Sequence, residues 1–273
     1  MHAITNENLS LAWNEALQHL IENDGKCVHL AVAITRPLDP EVDAVRNTLD
    51  QFIAERRGAD GKQWPISTVA NTMFPGAFYR PSRESPRERL YELHAKAQRM
   101  QQRMADPESY FNRLVAYPGA DGKPFNQLEY IVQRLIKQRQ PRKGGRGGPL
   151  SSAYELGLSV PEGGDLRVQA PGQDRNIMSF PCLSQISFTL EGEKLNLAAL
   201  YRNQYFISRA YGNYVGLARI GNFIASEVGV QLGEILCLAT HADAEFSGLT
   251  KGRVEQLAHS LRAALTPVEE VSA

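Results

Sequence analysis

Residues 183–190 and 194–201 are two runs rich in apolar and β-branched side chains, and Glu191-Gly192-Glu193 separates them. Runs of this length around a glycine-bearing turn read as a β-hairpin. Two further apolar runs, 27–34 and 234–240, read as short buried strands, and 66–74 as a strand or extended segment ending at Pro75. Between them lie stretches with helical spacing. Residues 9–22 place Leu9, Trp13, Ala16, Leu17 and Leu20 on one face, with Gly25 as a stop. Residues 41–57 repeat the pattern with Val42, Val45, Leu49, Phe52 and Ile53, and 58–63 read as a turn. Ser85, Pro86 and Glu88 are the opening of a helix over 85–104. Residues 125–139 carry Leu128, Ile131, Val132, Leu135 and Ile136 on one side, before Pro141. Residues 213–228 follow Asn213 as a credible cap, and 250–265 form a last amphipathic helix. Strands and helices in this mixture fit one large α/β or α+β domain, or two smaller ones.

The balance of charge narrows the function. Lys and Arg number 30, and so do Asp and Glu, so the formal net charge is zero. That argues against a chain whose main task is to hold nucleic acid by charge, and leaves room for a local basic pocket for a small anion. No apolar run approaches the roughly 20 residues that span a bilayer, and the N-terminus lacks the basic start and apolar core of a secretory signal. With three widely spaced cysteines, the expectation is a reduced, cytoplasmic protein with free thiols and no membrane contact. A phosphate-loop motif, a dinucleotide-binding glycine fingerprint and a paired-histidine zinc helix are all missing from the sequence, so no metal is expected. Residues 144–172 are rich in Gly and Pro. They open with Gly144-Gly145-Arg146-Gly147-Gly148, which follows no strand and opens no helix, and so reads as a hinge rather than a phosphate cradle.

Several residues could carry chemistry. Cys182 directly follows Pro181 at the start of the hairpin, near Ser184 and Gln185. It is either a small buried hydrophobe, the reading that suits Cys27 and Cys237 within their apolar strands, or a nucleophile. A thiolate there needs positive charge nearby. Arg134, Lys137, Arg139, Arg142, Lys143 and Arg146 occur with no acidic residue between Glu129 and Glu155. Arg134 and Lys137 read as a solvated helix face, whereas Arg142 and Lys143, beyond Pro141, could clamp a phosphate. Arg202, beside apolar residues, needs an anionic partner or a wet face. Asn213 is either a helix cap or an amide that reads the edge of a flat heterocycle.

Together with their spacings, these residues resemble thymidylate synthase. In that family a Pro-Cys pair supplies the nucleophile, an arginine follows in a Tyr-x-Arg segment, and an asparagine begins the next long helix. Here Pro181-Cys182 is followed 20 residues on by Arg202, within Tyr201-Arg202, and 31 residues on by Asn213. Upstream, Tyr110 stands at the family's catalytic tyrosine, Asp121-Gly122 and Asn126-Gln127 follow in register, and Arg142-Lys143 fall where the family has an Arg-Arg pair. Glu92, in Arg89-Leu90-Tyr91-Glu92-Leu93, resembles the family's catalytic glutamate at a much shorter spacing to Tyr110, and reads equally as a surface carboxylate.

The resemblance implies an α+β fold, a large mixed β-sheet covered by helices and dimerising through the sheet. It implies one domain over 1–273, with a glycine-rich insertion around 144–172 and a shortened C-terminus. It implies an enzyme, a homodimer whose Cys182 adds to C6 of a pyrimidine nucleoside monophosphate so that C5 can attack a one-carbon electrophile. The product would carry a methyl or a hydroxymethyl group, and 5,10-methylenetetrahydrofolate would be the donor. Arg202 and the partner's Arg142 and Lys143 would hold the phosphate, Asn213 would bind the O4/N3 edge of a uracil rather than a cytosine, and Tyr110 would assist proton removal through water. Asn203, Ser184, His241 and Asp243 complete the expected substrate contacts.

The departures concentrate in the sugar and folate contacts. Leu183 replaces the histidine after the nucleophile, Asn203 a serine, and Tyr205 the aspartate that holds the pterin. Arg209-Ala210-Tyr211-Gly212 replaces a Gly-x-Pro-Phe run. Asp243-Ala244-Glu245 replaces the His-x-Tyr of the sugar site, with His241 two residues upstream. No tryptophan lies between Glu92 and Tyr110. The rival expectation is therefore a nucleotide-binding or regulatory protein of the same fold that has lost folate chemistry.

Overall fold

The computed structural model describes residues 1–60, 64–101, 109–119, 123–139, 165–168, 170 and 181–266. Its centre is a seven-stranded mixed sheet. The strands are β1 (His2–Asn6), β2 (Lys26–Ile34), β5 (Asp165–Arg167), β6 (Leu183–Glu191), β7 (Lys194–Tyr201), β8 (Gln204–Tyr205) and β9 (Gln231–Asp243). Across the sheet the order is β1-β2-β9-β7-β6-β5, and the short β8 also pairs with β9. The ladders β1/β2, β7/β9 and β8/β9 are parallel, and β2/β9, β6/β7 and β5/β6 are antiparallel. A separate two-stranded ribbon joins β3 (Tyr117–Pro118) to β4 (Pro124–Phe125).

The expected hairpin is β6–β7, paired from Leu183↔Tyr201 to Glu191↔Lys194. Gly192 turns it at φ 57°, a left-handed conformation that glycine adopts without a Cβ penalty. Alternation along β7 sets the faces. Leu195, Leu197, Ala199 and Tyr201 are buried beneath helices, while Asn196, Ala198 and Leu200 face the other way, Leu200 with 37% exposure.

The helices are α1 (Leu9–Glu22), α2 (Asp43–Asp60), α3 (Ile66–Met73), α4 (Pro86–Gln101), α5 (Tyr110–Val115), α6 (Gln127–Arg139), α7 (Tyr211–Val228), α8 (Phe246–Leu249) and α9 (Lys251–Leu265). The molecule is thus mixed α+β, a large sheet covered by helices. The α7 helix is the connection between the parallel strands β7 and β9, and almost all of it is buried. Leu217, Ile220, Phe223 and Ile224 are fully buried, each contributing about 1.5–3 kcal/mol. Among the described residues no helix is long and apolar enough to cross a membrane.

Four local expectations change. The segment read as extended over 66–74 is the helix α3, with Ile66, Val69, Ala70 and Met73 buried at helical spacing. Its β-branched residues favour strand, but packing on α7 decides. That packing needs the glycines of α7, since a Cβ on Gly212 would come 2.6 Å from Val69 Cβ, and one on Gly216 would overlap Met73 Cβ. The turn expected at 58–63 is helical as far as Asp60. The irregular stretch expected over 144–172 contributes β5, and its remaining features, Gly144-Gly145-Arg146-Gly147-Gly148 among them, lie outside the described residues. Asn213 does not cap α7, because the helix begins at Tyr211 and follows directly on a π-turn, Phe206–Ala210.

Gly216→Ala is expected to cost about 1–3 kcal/mol by overpacking α3 against α7. It would lower the urea midpoint with the slope unchanged, while Gly248→Ala, where no atom lies within 4 Å of the added methyl, leaves the midpoint in place.

Candidate active site

The parallel ladder β7/β9 brings two chain segments to one edge of the sheet. Tyr201 pairs with Ala239, and beyond it Gln204 and Tyr205 pair with Ala242 and Asp243. Residues 202–213 and 241–245 are therefore neighbours. The turn before β6 joins them, because the Arg202 amide donates to the Cys182 carbonyl at 2.9 Å. Around this edge is a cavity of about 460 Å³. Cys182, Tyr110, Asn203 and Asn213 line it, from four separate segments of the chain. Val69 and Thr72 of α3 form another part of the wall, which is where the close approach of α3 to α7 reaches the site.

The π-turn carries Ser208 and Arg209 into the cavity. Both ends of its support are visible. Trp13 Nε1 donates to the Phe206 carbonyl at 3.0 Å, and Glu245 Oε2 accepts from the amides of Ile207 at 2.9 Å and Ser208 at 2.7 Å. Glu245 holds that position from a left-handed backbone, φ 62°, and its own amide donates to Asp243 Oδ1 at 2.6 Å. The Arg209 guanidinium lies 4.6 Å from the centre of the Trp64 ring, and its Nη1 is buried without a hydrogen-bond partner. Gln204, only 2% exposed, also lines the cavity, and its Nε2 is likewise buried without a partner.

Burial dominates the electrostatics. It pushes the Cys182 thiol up from its ordinary range, while the guanidinium groups of Arg202 and Arg209 pull it down without cancelling the effect. The positive charge that a thiolate needs nearby is therefore present, from both arginines, and is outweighed by burial. Burial also raises the Tyr110 phenol, with the nearby thiol adding to the rise and the amides of Leu183 and Cys182 opposing it. Glu245 is raised by burial, against the two amides it accepts and the Arg209 charge. Arg209 is lowered by burial, with Glu245 opposing.

The remaining expected site residues are placed as follows. Asn203 Oδ1 is 2.7 Å from His241 Nδ1, a pairing in which the acceptor oxygen puts the proton on Nδ1. His241 thus orients a cavity residue without lining the cavity itself. Asp243 supports Glu245. Ser184 lies on β6 outside the lining, and its carbonyl accepts from the Val168 amide at 3.1 Å. Glu92 is exposed on α4 and is not part of the wall, whereas the carboxylate that is part of it, Glu245, was unforeseen. Arg142 and Lys143 lie outside the described residues. Trp64, Gln204 and Arg209 also escaped sequence reasoning. The signal for Arg209 and Glu245 was their position, each standing where the resemblance has a different residue. Trp64 offered none. Among the described residues no group of His, Cys, Asp and Glu could hold a metal.

No family model matches the chain. Three archaeal proteins that carry the name "Putative thymidylate synthase" are similar to it. The one from Methanocaldococcus jannaschii is 25% identical over 146 residues, 52% of this chain and 59% of that protein. The one from Methanothermobacter marburgensis is 21% identical over 234 residues, 86% of this chain and 88% of that protein. The one from Methanothermobacter thermautotrophicus is 26% identical over 127 residues, 46% of each. The match thus spans about half of two of these relatives and most of the third. The chain is thus similar, at low identity, to proteins of that name, and its mixed sheet under helices is consistent with the likeness.

Because burial raises the Cys182 thiol, its alkylation by iodoacetamide is expected to be slow at neutral pH and still climbing above pH ~8.5, the ordinary thiol value. Peptide mass spectrometry of Cys182 against pH measures this. Burial raises the Cys237 thiol as well, so the neutral thiols at both positions support the fold below the ordinary thiol range. That contribution is lost as pH rises through the folded values.

Proposed function

We propose that the protein is a transferase that adds a one-carbon group to C5 of a pyrimidine nucleoside monophosphate through a covalent Cys182 adduct. The observation that carries this reading is the shared cavity of Cys182, Tyr110 and Asn213. The Cys182 sulfur bonds to C6, and the electrons of the C5–C6 double bond move onto C5 and O4. That gives C5 the character of a carbon nucleophile. The Asn213 amide, buried in the wall, offers one acceptor and two donors to the O4/N3 edge. Tyr110 assists loss of the C5 proton through water, and elimination of the sulfur regenerates the thiol. Arg202, with Arg142 and Lys143 of the partner subunit, holds the phosphate in a homodimer formed on the uncovered sheet face. Ala198 and Leu200 support that choice of face.

The resemblance names 5,10-methylenetetrahydrofolate as donor, and the residues present do not fit the family's pterin contact. Tyr205 stands at the aspartate position and is 47% exposed, and Arg209 over Trp64 occupies a position that the family leaves to glycine. The residues present thus offer a folate no counterpart of that contact. The same observation favours the second reading, a nucleotide-binding protein that keeps the fold without the transfer.

Release of tritium from C5 of a labelled pyrimidine monophosphate separates the two. The transferase is expected to release it, and Cys182→Ala to abolish release. Persistent release without the thiol defeats the covalent reading. Asn213→Asp is expected to shift preference from uracil toward cytosine by about tenfold or more, because a carboxylate accepts from the cytosine amino group and repels O4. Competition between the two monophosphates measures it.

A further inference from the structure

The reaction above leaves Arg209 without a task, yet the fold invests in its position. The π-turn presents it to the cavity, Trp13 and Glu245 hold both sides of that turn, and Trp64 backs the guanidinium at 4.6 Å. Its Nη1 is buried and makes no hydrogen bond, an arrangement that structure alone does not reward. Glu245, the acidic residue that shares the cavity, already uses one oxygen on two backbone amides. The positive charge of Arg209 is therefore only partly answered, and it shares a cavity with Cys182 and Tyr110.

We propose that Arg209 is a positioning residue that acts through Cys182, stabilising its thiolate, and that Glu245 sets how much of that charge the sulfur feels. The proposal rests on Cys182 being the reacting group. In the step concerned, the S–H bond breaks, the proton passes to solvent, and the electron pair stays on sulfur, in the field of the guanidinium that lines the same cavity. The charged and titratable groups around the sulfur come from several elements. They are Tyr110 of α5, Tyr201 at the end of β7, Arg202 beyond it, and Arg209 of the π-turn, with Glu245 facing Arg209 from the β9–α8 turn. The interior setting strengthens each of these charges relative to water.

The test is the pH profile of Cys182 alkylation in the free full-length protein, where the thiolate displaces iodide from iodoacetamide and the modified peptide is quantified. Arg209→Gln is expected to move the profile up by about one pH unit, about tenfold slower alkylation on the rising limb. Arg209→Lys, which keeps the charge, stays near the parent profile. Glu245→Gln keeps an acceptor oxygen for the two amides, removes the competing charge, and moves the profile down. An unshifted Arg209→Gln profile overturns the proposal, as does an Arg209→Lys shift equal to that of Gln. Should Arg209→Gln fail to fold, Glu245→Gln decides, and an unchanged or upward profile there overturns it. No nucleotide enters the measurement. Shifted profiles without C5 tritium release therefore leave this inference standing and remove the transferase reading, and unshifted profiles with release do the reverse.

Discussion

The parallel pairing of β7 with β9 is the constraint on which the site depends. Parallel neighbours end at the same edge of a sheet and cannot be joined by a tight turn, so a crossover helix must connect them. Here that helix is α7. One topological fact therefore places Arg202 and Asn203, after β7, beside His241 and Asp243, at the end of β9, and puts Asn213 at the start of the crossover above both. The antiparallel partner β6 begins at the same edge and delivers Cys182. Hydrophobic burial of α7 is what holds the arrangement, and the glycines at 212 and 216 let α3 close the remaining side.

Chemistry at this edge is a contest between burial and guanidinium charge. Burial at this cavity raises the Cys182 thiol, the Tyr110 phenol and the Glu245 carboxyl alike, favouring the neutral form of each. Two arginines oppose this at the sulfur. A bound anion would change the balance again, since it would engage the arginines and exclude water together. In the free protein the Cys182 thiol is thus held toward its protonated form.

Much of the fold was legible because its elements repeat a simple period. The β6–β7 hairpin, α1, α6 and α9 all follow from alternation or helical spacing of apolar side chains. The failure at α3 has a different origin. Ile66, Thr68 and Val69 prefer strand intrinsically, and the partner that overrides this preference lies far along the chain, at Gly212 and Gly216. The site divided in the same manner. Cys182, Tyr110, Asn203 and Asn213 were singled out from spacing and resemblance, and the structure brings these four to one cavity. Arg209 and Glu245 depend on a π-turn and on a left-handed residue, neither of which has a local sequence signature. Glu92, read either as a catalytic glutamate or as a surface carboxylate, is exposed on α4 and outside the cavity, and a Glu-Leu pair on a helix carries little information about which face is outward.

Glu245 also shows how a strained backbone narrows a position's chemical latitude. A left-handed conformation costs a residue with a Cβ about 1–2 kcal/mol, and glycine would relieve it. Glycine would also orphan the amides of Ile207 and Ser208, at about 1–3 kcal/mol for each buried donor. The second loss exceeds the first gain. The position therefore tolerates side chains long enough to bring an acceptor to the π-turn and few others, whether or not catalysis is under selection. Drift at 245 is confined by folding, and a carboxyl kept for structural reasons stays available to whatever ligand the cavity evolves to take.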